Sequence, residues 1–333
     1  MGNATDKWSS YVKPAQHQSA SVPADGQLNS ANAGVLILRE GQLNNEYRHQ
    51  GREFALEVAD AINTRHPGVC TVYLYEETFG TQDKIHWLIH LNSLEDYVDL
   101  IQMGTEDEGF RSIFTGSRGS DETGGGGWSR MFQNGTFKEV VLTAHHWGSH
   151  GTRSDKRGKP EANAAKGDRP GRAVVRPAHH QVAESSAGTG TTGTTGGTGT
   201  AAAAAPASPG GLLHSGNAGA IIHRSGQLRH EFRSEGRDFA RELADALNRA
   251  QGGRATTYVF EEHFGPQDRI HWLTHLRSLG EYHDVSAQGT YDENFRGVVH
   301  KERVKGGGDW SRMFVDGTLN DVLLVPQHPL KGF

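Results

Sequence analysis

The feature that most constrains this chain is an internal duplication. Ile85-His86-Trp87-Leu88-Ile89-His90 returns as Ile270-His271-Trp272-Leu273-Thr274-His275, 185 residues later. The offset holds from Ala33/Ala218 to Arg111/Arg296 and becomes 182 by Trp128-Ser129-Arg130-Met131-Phe132, matched by Trp310-Ser311-Arg312-Met313-Phe314. About half of the aligned positions are identical. So long a period denotes a duplicated domain rather than a solenoid repeat. The 333 residues divide into a tail (1–31), a first repeat (32–147), a linker (148–216) and a second repeat (217–329). Each repeat is long enough to bury a core of its own.

Composition follows the same division. The 44 glycines and a hydrophobic fraction of 35% look low for a folded chain, but the deficit lies in the tail and linker. Residues 1–31 lack periodicity, which predicts disorder. The Thr-Gly run from 188 to 200 and Ala201 to Ala205 predict a flexible tether. A formal charge of −5 leaves no electrostatic footprint for nucleic acid. Cys70 is alone, so no intrachain disulfide is expected. No apolar run is long enough to span a bilayer and residues 1–20 lack a signal-peptide core, so a soluble cytoplasmic protein is the expectation.

Within repeat 1 a strand at Gly34–Leu38 precedes a helix from Asn45 to Arg65. In it Tyr47, Gly51, Phe54, Ala55, Val58 and Ile62 recur at three- and four-residue steps. Pro67-Gly68 stops this helix, and Gly252-Gly253 stops its copy. Strands at 71–79 and 84–91 flank a turn at Gly80–Asp83. Ser93 then caps a second helix, and its partner Ser278 stands at capping-box spacing from Glu281. Trp128–Phe132 and Phe137–Thr143 flank Asn134-Gly135, with Asp316-Gly317 in the copy, which predicts a strand–turn–strand ending. The fold class is therefore α+β: two tandem ferredoxin-like βαββαβ repeats.

That order resembles the dimeric α/β-barrel superfamily, which includes antibiotic-biosynthesis monooxygenases, EthD and NIPSNAP-like proteins, small polyketide cyclases and chlorite-dismutase-like haem proteins. The resemblance rests on the element order and on Ile85 to Leu94 and Ile270 to Leu279. It implies that the two sheets pack into one intramolecular barrel enclosing a cavity for a small molecule. The chain would be a pseudo-dimer in itself, with further homo-oligomerisation left open. No catalytic signature of a named family is carried over.

The chemistry suggested by the residues lies on one strand face. A four-residue turn would pair Glu77 with His86, Tyr75 with Leu88 and Tyr73 with His90, all on one side because strand side chains alternate. Repeat 2 offers Glu262, His271, Phe260, Tyr258 and His275 in the same places. A glutamate opposite a histidine would stabilise the imidazolium, an arrangement suited to a general base near neutral pH. On this reading His86 and His271 are catalytic with Glu77 and Glu262 as orienting partners. Tyr73, Tyr75, His90, Tyr258, Phe260, His275, Arg130 and Arg312 contact substrate. The plain alternative is a satisfied polar lining or the interface between the sheets.

A shared metal between His86 and His90 is rejected, since four strand residues span about 13 Å. A metal held by one histidine plus His146 or His328, or a haem on His86, His90, His271 or His275 as the resemblance implies, stays open without a ligand set. The expected function is a cofactor-independent monooxygenase or cyclase-type isomerase acting on an aromatic or polyketide-like metabolite. The alternatives are a non-catalytic small-molecule-binding protein and a haem or metal enzyme of the same fold.

Overall fold

The computed structural model describes residues 14–116, 127–144, 178, 181, 211–304 and 307–328. Eight strands close into one antiparallel barrel in the order β1-β3-β2-β8-β5-β7-β6-β4. Their ranges are β1 Val35–Gln42, β2 Cys70–Phe79, β3 Lys84–Leu91, β4 Lys138–Ala144, β5 Ala220–Gln227, β6 Ala255–Phe264, β7 Arg269–Leu276 and β8 Asn320–Pro326. Each half contributes four neighbouring strands in the order 4-1-3-2 of its own sequence. The seams between halves are β2 with β8 and β4 with β6. Closure leaves no sheet edge to be covered.

Helices cover the outside: α1 Arg48–Arg65, α2 Leu94–Glu106 and α3 Glu108–Thr115 on the first half, α4 Arg233–Gln251, α5 Glu281–Tyr291 and α6 Glu293–His300 on the second. Alternation along each strand sorts the core into an outer and an inner layer. Val72, Leu74, Ile85, Trp87 and Ile89 face α1 and its neighbours. Leu36, Leu38, Tyr73, Tyr75, Leu88 and Leu142 meet Ile221, Tyr258, Phe260, Leu273 and Leu324 inside the barrel. No described helix is long and apolar enough to cross a membrane.

Several sequence expectations need correction. Trp128–Met131 is a 3-10 helix rather than a strand, and Phe132 makes only an isolated bridge to Leu43. Aromatic packing accounts for the difference: Trp128 stacks on Phe54 of α1 at 5.8 Å, which curls the segment over the helix. The first α-helix starts at Arg48, after a 3-10 turn at Asn45–Tyr47. Ser93 and Asp96 form the capping box of α2. In the copy Gly280 delays the helix to Glu281, whose carboxylate accepts the Arg277 N–H at 2.7 Å.

Residues 14–31, expected to be disordered, are structured. Ala15–Ser19 is a 3-10 helix, and Gln18 lies where β8 runs out beside β2. Its amide accepts from Leu74 N at 2.5 Å and donates to Leu74 O at 3.0 Å, completing the sheet with a side chain. Gln181 does the same for Val259 in the other half, at 2.8 Å in both directions. Leu74 O also accepts from the Gln327 N–H at 2.9 Å, so it is the buried Leu74 N–H that depends on Gln18 for a partner. The expected linker behaves likewise at its end, where Leu213 and Ser215 are buried. Its Thr-Gly run and the first part of the tail lie outside the described residues.

Candidate functional site

The hairpins β2–β3 and β6–β7 position the glutamates and histidines. Asp83 and Asp268 take left-handed φ values of 59° and 64° at the two turns. Each carboxylate is held by an arginine of the covering helix, Arg52 to Asp83 at 2.5 Å and Arg237 to Asp268 at 2.6 Å, and each arginine also binds Glu76 or Glu261. The register differs from the expected one by two residues: Tyr75 lies opposite His86 and Tyr73 opposite Leu88. An even shift keeps every side chain on its expected face. Glu77 consequently reaches His86 diagonally, across a bulge where β2 shifts register against β8.

Both hairpins open at the same end of the barrel, because Phe79 pairs with Leu323 and Phe264 with Val141 across the seams. At this mouth His86 Nε2 lies 3.4 Å from Glu77 Oε2 and His86 Nδ1 lies 3.8 Å from Glu40 Oε2. Lys84 Nζ is 2.9 Å from Glu40 and 3.9 Å from Glu77. Glu77 Oε1 accepts the Thr81 N–H at 2.6 Å and fills the space where a Cβ on Gly80 (φ +138°) would sit. Burial works to raise the Glu77 carboxyl, but His86, the Thr81 N–H and Lys84 outweigh it and hold it below its ordinary value.

The second half is built on the same frame with different residues. His271 Nε2 lies 3.5 Å from Glu262 Oε2, and Arg269 Nε lies 4.0 Å from the same oxygen. His223, which stands where the first half has Leu38, meets His271 Nδ1 at 2.9 Å through its Nε2. Pro266 replaces Thr81, so Glu262 has no backbone donor at that place. Burial lowers both imidazoles: Glu262 opposes the shift at His271, while His271, His86 and Lys84 add to it at His223. The seam pairings that bring both hairpins to one end make the two halves contribute to one mouth. Val140 and Val322, inward-facing on β4 and β8, are only partly buried, so solvent reaches into it.

The opposite end is sealed. Ser30 N–H donates to Ser215 Oγ and Ser215 N–H to Ser30 Oγ, both at 3.0 Å, joining the two halves. Each hydroxyl also meets the other half's histidine at 2.9 Å, Ser215 with His90 Nε2 and Ser30 with His275 Nε2. The other ring nitrogens bond Thr71 O and Thr256 O at 3.2 Å. A carbonyl accepts, so Nδ1 carries the proton and Nε2 receives the serine hydroxyl. Burial drives both histidines down to about 3, which keeps them neutral.

The expected site therefore separates into two groups. His86, Glu77, His271 and Glu262 come together at the mouth. His90, His275, Tyr73, Tyr75, Tyr258 and Phe260 do not: all are at most 2% exposed, packed in the barrel or tied to its sealed end. Tyr75 donates to Ser215 O at 2.5 Å and Tyr258 to Leu213 O at 3.1 Å. The large side chains that were to wall a cavity are buried together in the barrel's inner layer. Arg130 sits 6.0 Å over the Tyr47 ring and Arg312 bonds Gly307 O, both outside the barrel. Glu40, Lys84, Arg269 and His223 were not among the expected residues. The period-two alternation that places Ile221 inward also places His223 inward, and would have found it.

His90 and His275 have no ring nitrogen left to offer a haem. His90 and His275 are fully buried with both nitrogens engaged, and His86 and His271 are 3% exposed against carboxylates. Among the described residues no group of three or more His, Cys, Asp or Glu could hold a metal ion. His328 stacks on His17 at 4.7 Å, and His146 lies outside the described residues. A cavity of about 240 Å³ lies outside the barrel, between the second sheet and α4, α5 and α6.

Among solved structures, a candidate monooxygenase from Fusobacterium nucleatum is similar at 6% identity, 89% and 93% coverage of the two chains and a TM-score of 0.49. Chlorite dismutase from Candidatus Nitrospira defluvii is similar at 11% identity, 88% and 92% coverage and a TM-score of 0.41. An anthrone oxidase-like protein matches at 10% identity, 90% and 94% coverage and a TM-score of 0.43. Likenesses this distant carry no argument about activity. No curated protein matches the sequence. A family described as "Family of unknown function (DUF6039)" matches residues 4–199 and 191–332. With both halves covered by these matches, the chain belongs to that family.

Proposed function

We propose that the protein is a small-molecule enzyme whose acid–base groups lie at the barrel mouth. His86 and His271 are the proton-transfer groups, and Glu77 and Glu262 orient them. The observation that carries this reading is His86 set between two carboxylates, 3.4 Å from Glu77 and 3.8 Å from Glu40, at an end that solvent enters. A carboxylate facing each ring nitrogen orients the ring and lies where it can exchange a proton with it. Cofactor-independent oxygenation and cyclisation or isomerisation of an aromatic or polyketide-like compound both begin with such a step. The 4-1-3-2 strand order in each half supports a tandem duplication of a ferredoxin-like unit, with the two halves standing for the subunits of a dimeric α/β barrel.

The test is a panel of enolisable aromatic and polyketide-like compounds, followed by oxygen uptake and product mass. Glu77→Gln with Glu262→Gln should lower turnover by about 100-fold or more while leaving affinity within a few-fold. Undiminished turnover refutes the assignment. One observation favours a non-catalytic binding role instead. The cavity outside the barrel has apolar walls at Leu243, Leu247 and Trp272 and a few polar groups, among them Thr274 and the Arg224–Asp321 pair.

A further inference from the structure

The two halves of the mouth share a Glu–His pair and differ in what lies beyond it. In the first half His86 meets a second carboxylate, Glu40, and position 38 is leucine. In the second half Ser225 replaces Glu40 and His223 replaces Leu38. The His223 and His271 rings have centroids 5.2 Å apart and planes only 15° from parallel. The 2.9 Å contact between their nitrogens takes up most of that separation, so the rings lie edge to edge in line, not face to face. That is the geometry of an N–H···N hydrogen bond.

The direction of this bond follows from Glu262. His271 Nε2 lies 3.5 Å from Glu262 Oε2, a charge contact rather than a hydrogen bond, and the carboxylate favours a proton on the nitrogen that faces it. In the neutral ring Nδ1 is then the acceptor, and His223 must donate from Nε2. The proton of neutral His223 is spent in that bond, which leaves its Nδ1 as a bare lone pair on the side of the ring turned from His271. Burial, with His271, His86 and Lys84 acting in the same direction, holds His223 neutral.

We propose that Glu262, His271 and His223 form a relay in which His223 Nδ1 is the proton acceptor presented to substrate, His271 takes up the relayed proton, and Glu262 is the positioning residue. The proposal deepens the enzyme reading above and rests on it. Its substrate class is a small molecule with an acidic O–H or C–H beside a carbonyl, such as a phenol or enolisable ketone. The substrate proton goes to His223 Nδ1 and the Nε2 proton passes to His271 Nδ1. His271 is then an imidazolium beside the Glu262 carboxylate, and the substrate is left as its anion. The halves would differ in role, since Leu38 offers the first half no such acceptor.

The test uses the full chain with ¹⁵N-labelled histidine and reads ring tautomers from two- and three-bond nitrogen–proton correlations. His223 is expected protonated on Nε2 alone, and Glu262→Gln should convert it to a mixture of tautomers. A proton on His223 Nδ1, or His223 signals unmoved by Glu262→Gln, overturns the relay. The wild-type measurement needs no variant to fold. With a turned-over compound from the panel, His223→Leu, which installs the residue of the first half, should lower kcat by about 100-fold or more with KM within a few-fold. Unchanged kcat also overturns it. The tautomer arm needs no substrate. Failure of the enzyme reading, seen as no turnover across the panel, is therefore distinguishable from failure of the relay, seen as the wrong tautomer.

Discussion

Replacing Ser215 by alanine should destabilise the protein through two buried groups at once. The hydroxyl bonds His90 Nε2 at 2.9 Å and accepts the Ser30 N–H at 3.0 Å, and all three residues are 0% exposed. Alanine keeps the backbone and packing but leaves the imidazole nitrogen and the amide without partners. Each orphaned group costs about 1–3 kcal/mol, so the variant should lose about 2–6 kcal/mol. For a domain of this size each kcal/mol lowers Tm by about 2–4 °C. Urea unfolding followed by tryptophan fluorescence should show a lower midpoint at unchanged slope. Ser30→Ala removes the mirror-image pair and should cost about the same. Two variants each within about 0.5 kcal/mol of the parent would refute the claim that these hydroxyls hold the sealed end.

Stability should also fall on acidification. Unfolded histidines take up protons near 6.5, whereas His90 and His275 do so only at about 3. Between those values the unfolded chain binds more protons, so each histidine removes up to about 1.4 kcal/mol per pH unit as pH drops. Glu77 acts in the same direction: its lowered value contributes stability that is lost as pH falls through its folded pKa. Urea midpoints independent of pH from 7 to 4 would contradict this. In the outer cavity Val285→Leu, which restores the Leu100 of the first half, should add about 0.8 kcal/mol by filling space with one methylene. It should also weaken binding of indole, and isothermal titration would show no change if the cavity is not a binding space.

Much of this fold could be read from residues alone, and the misses share a cause. The β2–β3 faces were legible because alternation survives any even slip, so Glu77 and His86 were placed together although the register was wrong by two. Trp128–Phe132 misled because its aromatic residues suit a strand, and only the tertiary stack on Phe54 turns it into a 3-10 helix. Residues 14–31 looked structureless because they bury side chains singly rather than along a stripe. A signal was nonetheless present: Pro14-Ala15 and Gln18 recur as Pro177-Ala178 and Gln181, at an offset of 163 rather than 185. A face of tyrosines and leucines reads the same whether it lines a void or packs a core, and here Tyr73, Tyr75, Tyr258 and Phe260 are buried in the inner layer.

Histidine and tryptophan ring signals, followed as the best-turned-over compound of the panel is added, put the mouth directly to the test. Binding there should shift His86, His223 and His271 and leave His90, His275 and the Trp272 indole N–H unmoved. Shifts confined to Trp272, whose N–H is bonded to Ala240 O at 3.1 Å beside the outer cavity, would place the ligand outside the barrel and contradict the account.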